Sequence, residues 1–215
     1  PIIDVGQATK YLVFFLHGWG SDGKDLIQIG EMWKNQLNTA SLISPNGPEV
    51  CTGNPSGRQW FDILNNDEEQ ILKGRQQAYL DIKKLIAHYL VKYNLKSDQY
   101  FLVGFSQGTM LALYTALREK LSGVIGYSGA FLGNVPEQNL PLNDYLLLHG
   151  KNDSVVPIEK MYKAKGILKN ISSSLDCKAY DNLEHSINEE GLQAGLHFIR
   201  SRIEGKKNNL LRSEK

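Results

Sequence analysis

Cysteine is scarce: Cys51 and Cys177 are the two in 215 residues. Two thiols cannot build the disulfide framework on which small secreted domains depend, so a reducing, cytoplasmic setting is expected. Long apolar runs are missing too, with nothing approaching the roughly 18 residues of a membrane span. The first residues lack the charged, apolar and small-residue regions of a signal peptide, and Pro1 in place of methionine fits a processed or trimmed start. Neither sign of charge dominates: 24 Lys and Arg stand against 23 Asp and Glu, a net charge of +1. That balance gives no steering field for nucleic acid, and no basic cluster is interleaved with aromatics. His-Glu-x-x-His and Cys-x-x-Cys are both absent, so neither a metal nor an organic cofactor is expected. No Pro-, Gly- or Ser-rich linker divides the chain and no repeat recurs. Residues 1–204 therefore read as a single domain, followed by a basic, flexible tail at 205–215 (GKKNNLLRSEK) that is able to touch an anionic surface transiently.

What the chain does have is alternation. Strand-like runs near 10–17, 41–45, 99–105, 122–128, 144–150 and 174–180 alternate with helical ones near 24–37, 67–94, 107–119, 157–170 and 188–204. With 41% hydrophobic residues there is enough apolar material for one sizeable core. The alternation predicts an α/β architecture, a mostly parallel central sheet with helices on both faces. In the long second helical segment Ile71, Ala78, Ile82, Leu85, Ile86 and Tyr89 form the buried stripe, with Lys83, Lys84 and Lys92 on its solvated side.

One motif carries chemistry. Gly104-Phe105-Ser106-Gln107-Gly108 follows the apolar run ending at Phe105 and opens a helical segment, the context of a nucleophile elbow. Gly-Ser-Gly patterns also occur in ordinary turns and phosphate loops, so the elbow needs partners. A serine nucleophile requires a histidine base and a carboxylate, which on an elbow of this kind follow in the order Ser, acid, His. Three histidines lie downstream. His149 falls inside the strand-like run YLLLHG and reads as structural or marginal, and His197 belongs to the last helix. His185 sits in a polar loop after a strand, where a parallel sheet forms its ligand crevice. Asp153 is the preferred acid, following the run Leu146–Gly150, although an Asn-Asp-Ser cluster also makes ordinary turns. Asp144, Asp176 and Asp181 are less favourably placed.

A glycine-bearing loop, His17-Gly18-Trp19-Gly20, follows the first long apolar run. Such a loop supplies a second backbone donor beside the amide that follows the nucleophile. Trp19 and Gln107 are thus the expected oxyanion-hole amides, with His17 in a supporting place. Pro48–Gly57 reads as an irregular loop ahead of Trp60-Phe61-Asp62, a wall or partial lid over the site. Trp60 and Phe61 are either substrate-facing or core residues.

With these residues placed, the chain resembles the carboxylesterase, lysophospholipase and acyl-protein thioesterase group of small α/β-hydrolases. The likeness runs through Phe14–Gly20, Gln59–Asp62, Gly104–Gly108, Tyr127-Ser128-Gly129, His149–Asp153 with Val156-Pro157, and Glu184-His185-Ser186, nearly the whole chain. It implies the α/β-hydrolase fold with no large cap domain. It also implies Ser106 as nucleophile, Asp153 as orienting acid, His185 as base, and Trp19 and Gln107 as oxyanion donors, with Trp19, Trp60 and Phe61 shaping the acyl site. Two positions depart from the pattern: Trp19 stands where leucine is common, and Thr109 where glycine is. The implied substrate is a small ester, a lysophospholipid or an acylated protein, for a monomer or homodimer. A catalytically silent binding module and a peptidase on the same fold are the competing readings.

Overall fold

The strand-like runs are apolar on consecutive positions because both faces of the sheet are covered. In this computed structural model, which describes residues 1–65, 67–137 and 139–213 with side chains through Gly205, strand β2 (Tyr11–Leu16) is buried at every position. Successive side chains point to opposite faces. Leu12, Phe14 and Leu16 enter one hydrophobic cluster, while Tyr11, Val13 and Phe15 enter the other.

The first cluster is closed by α2 (Glu68–Lys92), α3 (Gln107–Ala116) and α4 (Glu159–Leu168), the second by α1 (Gly23–Trp33) and α5 (Glu189–Ser213). In α2 the predicted stripe is present, with Ala78, Ile82 and Ile86 buried and Ile71, Leu85 and Tyr89 packed at its margin. Arg75 lies buried within the same helix.

Between these layers run β1 (Ile2–Ile3), β3 (Ala40–Ile43), β2, β6 (Tyr100–Phe105), β7 (Gly123–Tyr127), β8 (Asn143–Gly150) and β9 (Ser172–Tyr180), in that spatial order. Short β1 is antiparallel to β3 and every other neighbour pairs parallel. This is an α/β-hydrolase-like fold, and no large cap interrupts it among the described residues. Parallel strands end on one edge, so the loops after β2, β6, β8 and β9 gather there.

Two elements differ from the sequence expectation. Residues 48–57, expected to be irregular, contribute to a bulged antiparallel hairpin of β4 (Glu49–Cys51) and β5 (Asn54–Gln59). Its composition hides it, since Asn54, Pro55 and Gly57 are poor strand formers and the pairing is fixed by contacts with a distant loop. The last helix, expected to end near 204, runs on to Ser213. The tail expected from 205 falls on residues whose side chains lie, after Gly205, outside those described. Cys51 and Cys177 are both free thiols.

Candidate active site

Strand β6 stops at Phe105 and α3 starts at Gln107, leaving Ser106 to make the turn alone. Its backbone sits at φ 53° and ψ −114°, a strained conformation for a residue with a side chain, costing about 1–3 kcal/mol. The flanking glycines make the turn feasible. A Cβ on Gly108 would lie 1.8 Å from the Leu16 carbonyl oxygen, and one on Gly104 would lie 2.5 Å from the Gly108 carbonyl carbon. The Ser106 N–H donates to the Tyr127 carbonyl at 2.9 Å, anchoring the elbow to β7. Thr109, where glycine is common in the resembled family, fits because Gly126 and Gly129 leave room: a Cβ on either would come within 2.6 Å of its side chain. Its hydroxyl donates to the Tyr127 carbonyl at 2.8 Å.

The sheet edge brings the expected acid and base together. Asp153 Oδ2 lies 2.8 Å from His185 Nδ1. The carboxylate is buried, and its Oδ1 accepts from the Val155 and Val156 amides at 3.0 and 2.8 Å. The His185 loop is pinned on several sides. The Asn152 amide donates to the Leu183 carbonyl, and the Ser128 hydroxyl donates to the Ser186 carbonyl at 3.3 Å. A Cβ on Gly150 would fall 2.1 Å from the Leu183 carbonyl oxygen, so only glycine lets the loop pass. The His185 ring packs on Phe105, with centroids 4.9 Å apart, beside the elbow. Among the described hydrogen bonds none joins the Ser106 hydroxyl to this ring, a gap that serine–histidine pairs commonly close only when substrate is bound.

The loop after β2 meets the elbow from the other side. A Cβ on Gly18 would lie 3.4 Å from that of Ser106. Buried His17 sets the local backbone: its Nε2 accepts from the Gly47 amide and its Nδ1 donates to the Gly18 carbonyl, both at 2.8 Å. That pattern requires a neutral ring, and burial pushes the His17 pKa below the ordinary histidine range, outweighing the Gly18 carbonyl and Asp22 and Asp25. A planar trans peptide points its N–H opposite its C=O, so holding the Gly18 carbonyl also aims the Trp19 amide. Neither the Trp19 nor the Gln107 amide donates to a protein acceptor among the described backbone hydrogen bonds.

The three aromatic residues expected to shape the acyl site sit differently. Trp19 turns its indole toward the β4–β5 hairpin, donating to Gln59 Oε1 at 3.0 Å, and a Cβ on Gly53 would strike its ring at 2.2 Å. Gln59 Oε1 also accepts from the Thr52 amide and hydroxyl, while its Nε2 donates to Glu49. Trp60 and Phe61 are 4% and 0% exposed and belong to the core, so both back the site rather than face it. The large ring at position 19 is accommodated by the hairpin and its glycine.

Three further side chains support this arrangement, of which the sequence singles out only His149. His149, taken as structural or marginal, is buried with Nε2 3.2 Å from Asp153 Oδ2 and donating to the Val156 carbonyl at 2.7 Å. The buried Gln107 amide group bonds the Trp60–Phe61 backbone. Ser128, at φ 45°, holds the His185 loop. His197 lies in the last helix, as expected, and both it and His88 of α2 are exposed. Among the described residues no three His, Cys, Asp or Glu side chains gather as a metal site. No helix among them is long and apolar enough to cross a membrane.

Residues 1–203 match the family described as Phospholipase/Carboxylesterase. Acyl-protein thioesterase 1 of Gibberella zeae is 25% identical over 211 residues, covering 89% of this chain and 90% of that protein. Esterase YpfH of Escherichia coli is 25% identical over 204 residues, covering 92% of this chain and 85% of that one. The crystal structure of esterase PE8 superposes with a TM-score of 0.87 at 33% identity, over 94% of this chain and 97% of that one.

Proposed function

The chain belongs to the phospholipase/carboxylesterase family, and from that premise we propose that Ser106, Asp153 and His185 are its catalytic triad. It is a serine hydrolase acting on esters or thioesters. The observation that carries the residue assignment is the 2.8 Å contact between His185 Nδ1 and a buried carboxylate oxygen, at the sheet edge where the strained Ser106 turn also lies.

The roles follow from that placement. Asp153 takes the Nδ1–H hydrogen bond and thereby leaves His185 Nε2 as the proton acceptor. Nε2 removes the Ser106 hydroxyl proton as Oγ attacks the carbonyl carbon, and the carbonyl oxygen becomes an oxyanion. The Trp19 and Gln107 amides receive that charge, the second aided by the N-terminus of α3. Collapse expels the alcohol or thiol, with the proton on His185 available to the leaving group. Water then attacks the acyl-serine, losing its proton to His185, and the carboxylic acid departs as Ser106 recovers its hydrogen.

The acyl group and leaving group are a finer matter. Relatives carry the names esterase and acyl-protein thioesterase, and the family name includes phospholipase, which supports testing small esters, lysophospholipids and acylated proteins side by side. Two free thiols favour a reducing, cytoplasmic compartment as part of the same proposal. The deciding experiment labels the native chain and Ser106→Ala with a fluorophosphonate probe. One equivalent on the native chain and none on the variant is expected; equal labelling of both, or of neither, removes Ser106 as nucleophile.

A further inference from the structure

Two backbone amides held at a fixed separation are needed to receive an oxyanion, yet Trp19, in a loop, and Gln107, at the start of α3, are 88 residues apart in sequence. A continuous set of buried hydrogen bonds joins the two. The Gln107 side chain turns back from the start of α3, its Oε1 accepting from the Trp60 amide at 3.0 Å and its Nε2 donating to the Phe61 carbonyl at 2.7 Å. The Trp60 indole N–H then reaches the His17 carbonyl at 2.9 Å, and its ring packs on the His17 imidazole with centroids 5.1 Å apart. His17 in turn holds the Gly18 carbonyl, the other end of the peptide that carries the Trp19 N–H.

We propose that the Gln107 side chain and the Trp60 indole act as one positioning strut that sets the distance between the two oxyanion amides. The inference rests on the triad reading above, with Ser106 as nucleophile. Neither side chain touches the reacting atoms, and both act through backbone they hold. Their buried polar atoms, each with a hydrogen-bond partner, suit that role, because low local dielectric makes such bonds stiff and their loss costly. Trp60 thus serves the site by its polarity as well as its bulk: phenylalanine would keep an aromatic ring in the core, with some loss of volume, and leave the His17 carbonyl without this donor.

The test compares the native chain with Trp60→Phe, Gln107→Met and the double variant, with active sites titrated by a fluorophosphonate so that kcat is per competent Ser106. KM and the affinity for an alkyl trifluoromethyl ketone are measured in parallel. Ser106 Oγ adds to that ketone, its proton passing to His185, and leaves a stable oxyanion in the hole. Each single variant is expected to lower kcat by about 10- to 100-fold with KM altered less than about threefold. Ketone affinity should fall by the same factor as kcat/KM, and the double variant should be no worse than the poorer single one, as for groups acting as a unit. Unchanged kcat per titrated site, or losses that multiply in the double variant, overturns the strut. Should Gln107→Met fail to fold, Gln107→Asn, which keeps the amide but is one methylene short of the Trp60 and Phe61 backbone, carries the same comparison. A native chain that the fluorophosphonate does not label, or a Ser106→Ala chain that it does, overturns the triad reading instead.

Discussion

His149 Nε2 lies 3.2 Å from Asp153 Oδ2, the same carboxylate oxygen that meets His185 Nδ1 at 2.8 Å. One buried oxygen therefore faces two imidazoles. The Val156 carbonyl, 2.7 Å from His149 Nε2, can only accept, so that nitrogen carries a hydrogen and ties the Asp153 loop to β8. His149→Phe keeps a flat aromatic ring, somewhat larger than imidazole, and removes the donor, leaving the Val156 carbonyl and one side of the carboxylate underbonded. A stability loss of about 1–3 kcal/mol in urea melts is expected. The same variant should lower kcat at nearly constant KM, and unchanged kcat and stability together would exclude a positioning role for His149.

Asp153→Asn keeps the size of the acid but replaces an oxygen that accepts from His185 by an amide able to donate. The His185 ring then loses its tautomeric bias. A fall in kcat of about 10⁴-fold is expected from such a change, with KM little altered. Steady-state turnover of a small activated ester measures it, and a loss below about tenfold would mean that another acid orients His185.

The elbow glycines give a steric prediction with an internal control. Gly108→Ala drives a Cβ to 1.8 Å from the Leu16 carbonyl, and the site lies between a strand and a helix that are both buried. We expect a destabilisation beyond about 4 kcal/mol, seen as loss of folded protein or of the urea transition. Gly166→Ala, in α4, meets nothing within 4 Å and should stabilise by about 0.5–1 kcal/mol. Similar effects for the two would contradict the packing described.

Stability should carry the signature of His17. Its pKa is depressed in the folded chain by burial, so below the ordinary histidine value of about 6.5 the unfolded chain takes up a proton that the folded one refuses. The contribution is fully present above that value and is lost as pH falls from there toward the depressed folded pKa. Urea midpoints measured from pH 7.5 to 5 should decline, and His17→Gln should decline less steeply. Parallel slopes for the two chains would remove His17 as the source.

Local signals carried much of the fold and most of the proposed machinery. Both-face burial makes strands such as β2 and β6 continuously apolar, and the strained Ser106 turn demands glycine at two neighbouring positions, so each leaves a mark in adjacent residues. The β4–β5 hairpin left no such mark. Its Gly20–Arg58 and Ser21–Arg58 backbone bonds and the Asn54 side chain's bond to the Gly20 carbonyl tie it to a loop some 35 residues earlier. Trp19 showed the same limit, since its size was legible while its direction depended on Gly53 and Gln59.

By itself, then, the sequence determined the layered α/β architecture, the serine turn and the candidate order of nucleophile, acid and base, because hydrophobic periodicity and backbone sterics act between near neighbours. The tertiary structure alone decided which side chains support them. Gln107 reaches back to the Trp60 and Phe61 backbone from far along the chain, His185 meets an Asp153 oxygen from another loop, His149 shares that oxygen from the end of β8, and Trp60 and Phe61 lie behind the site. Buried polar groups must find partners once water is excluded, and only the folded packing says which partner is within reach.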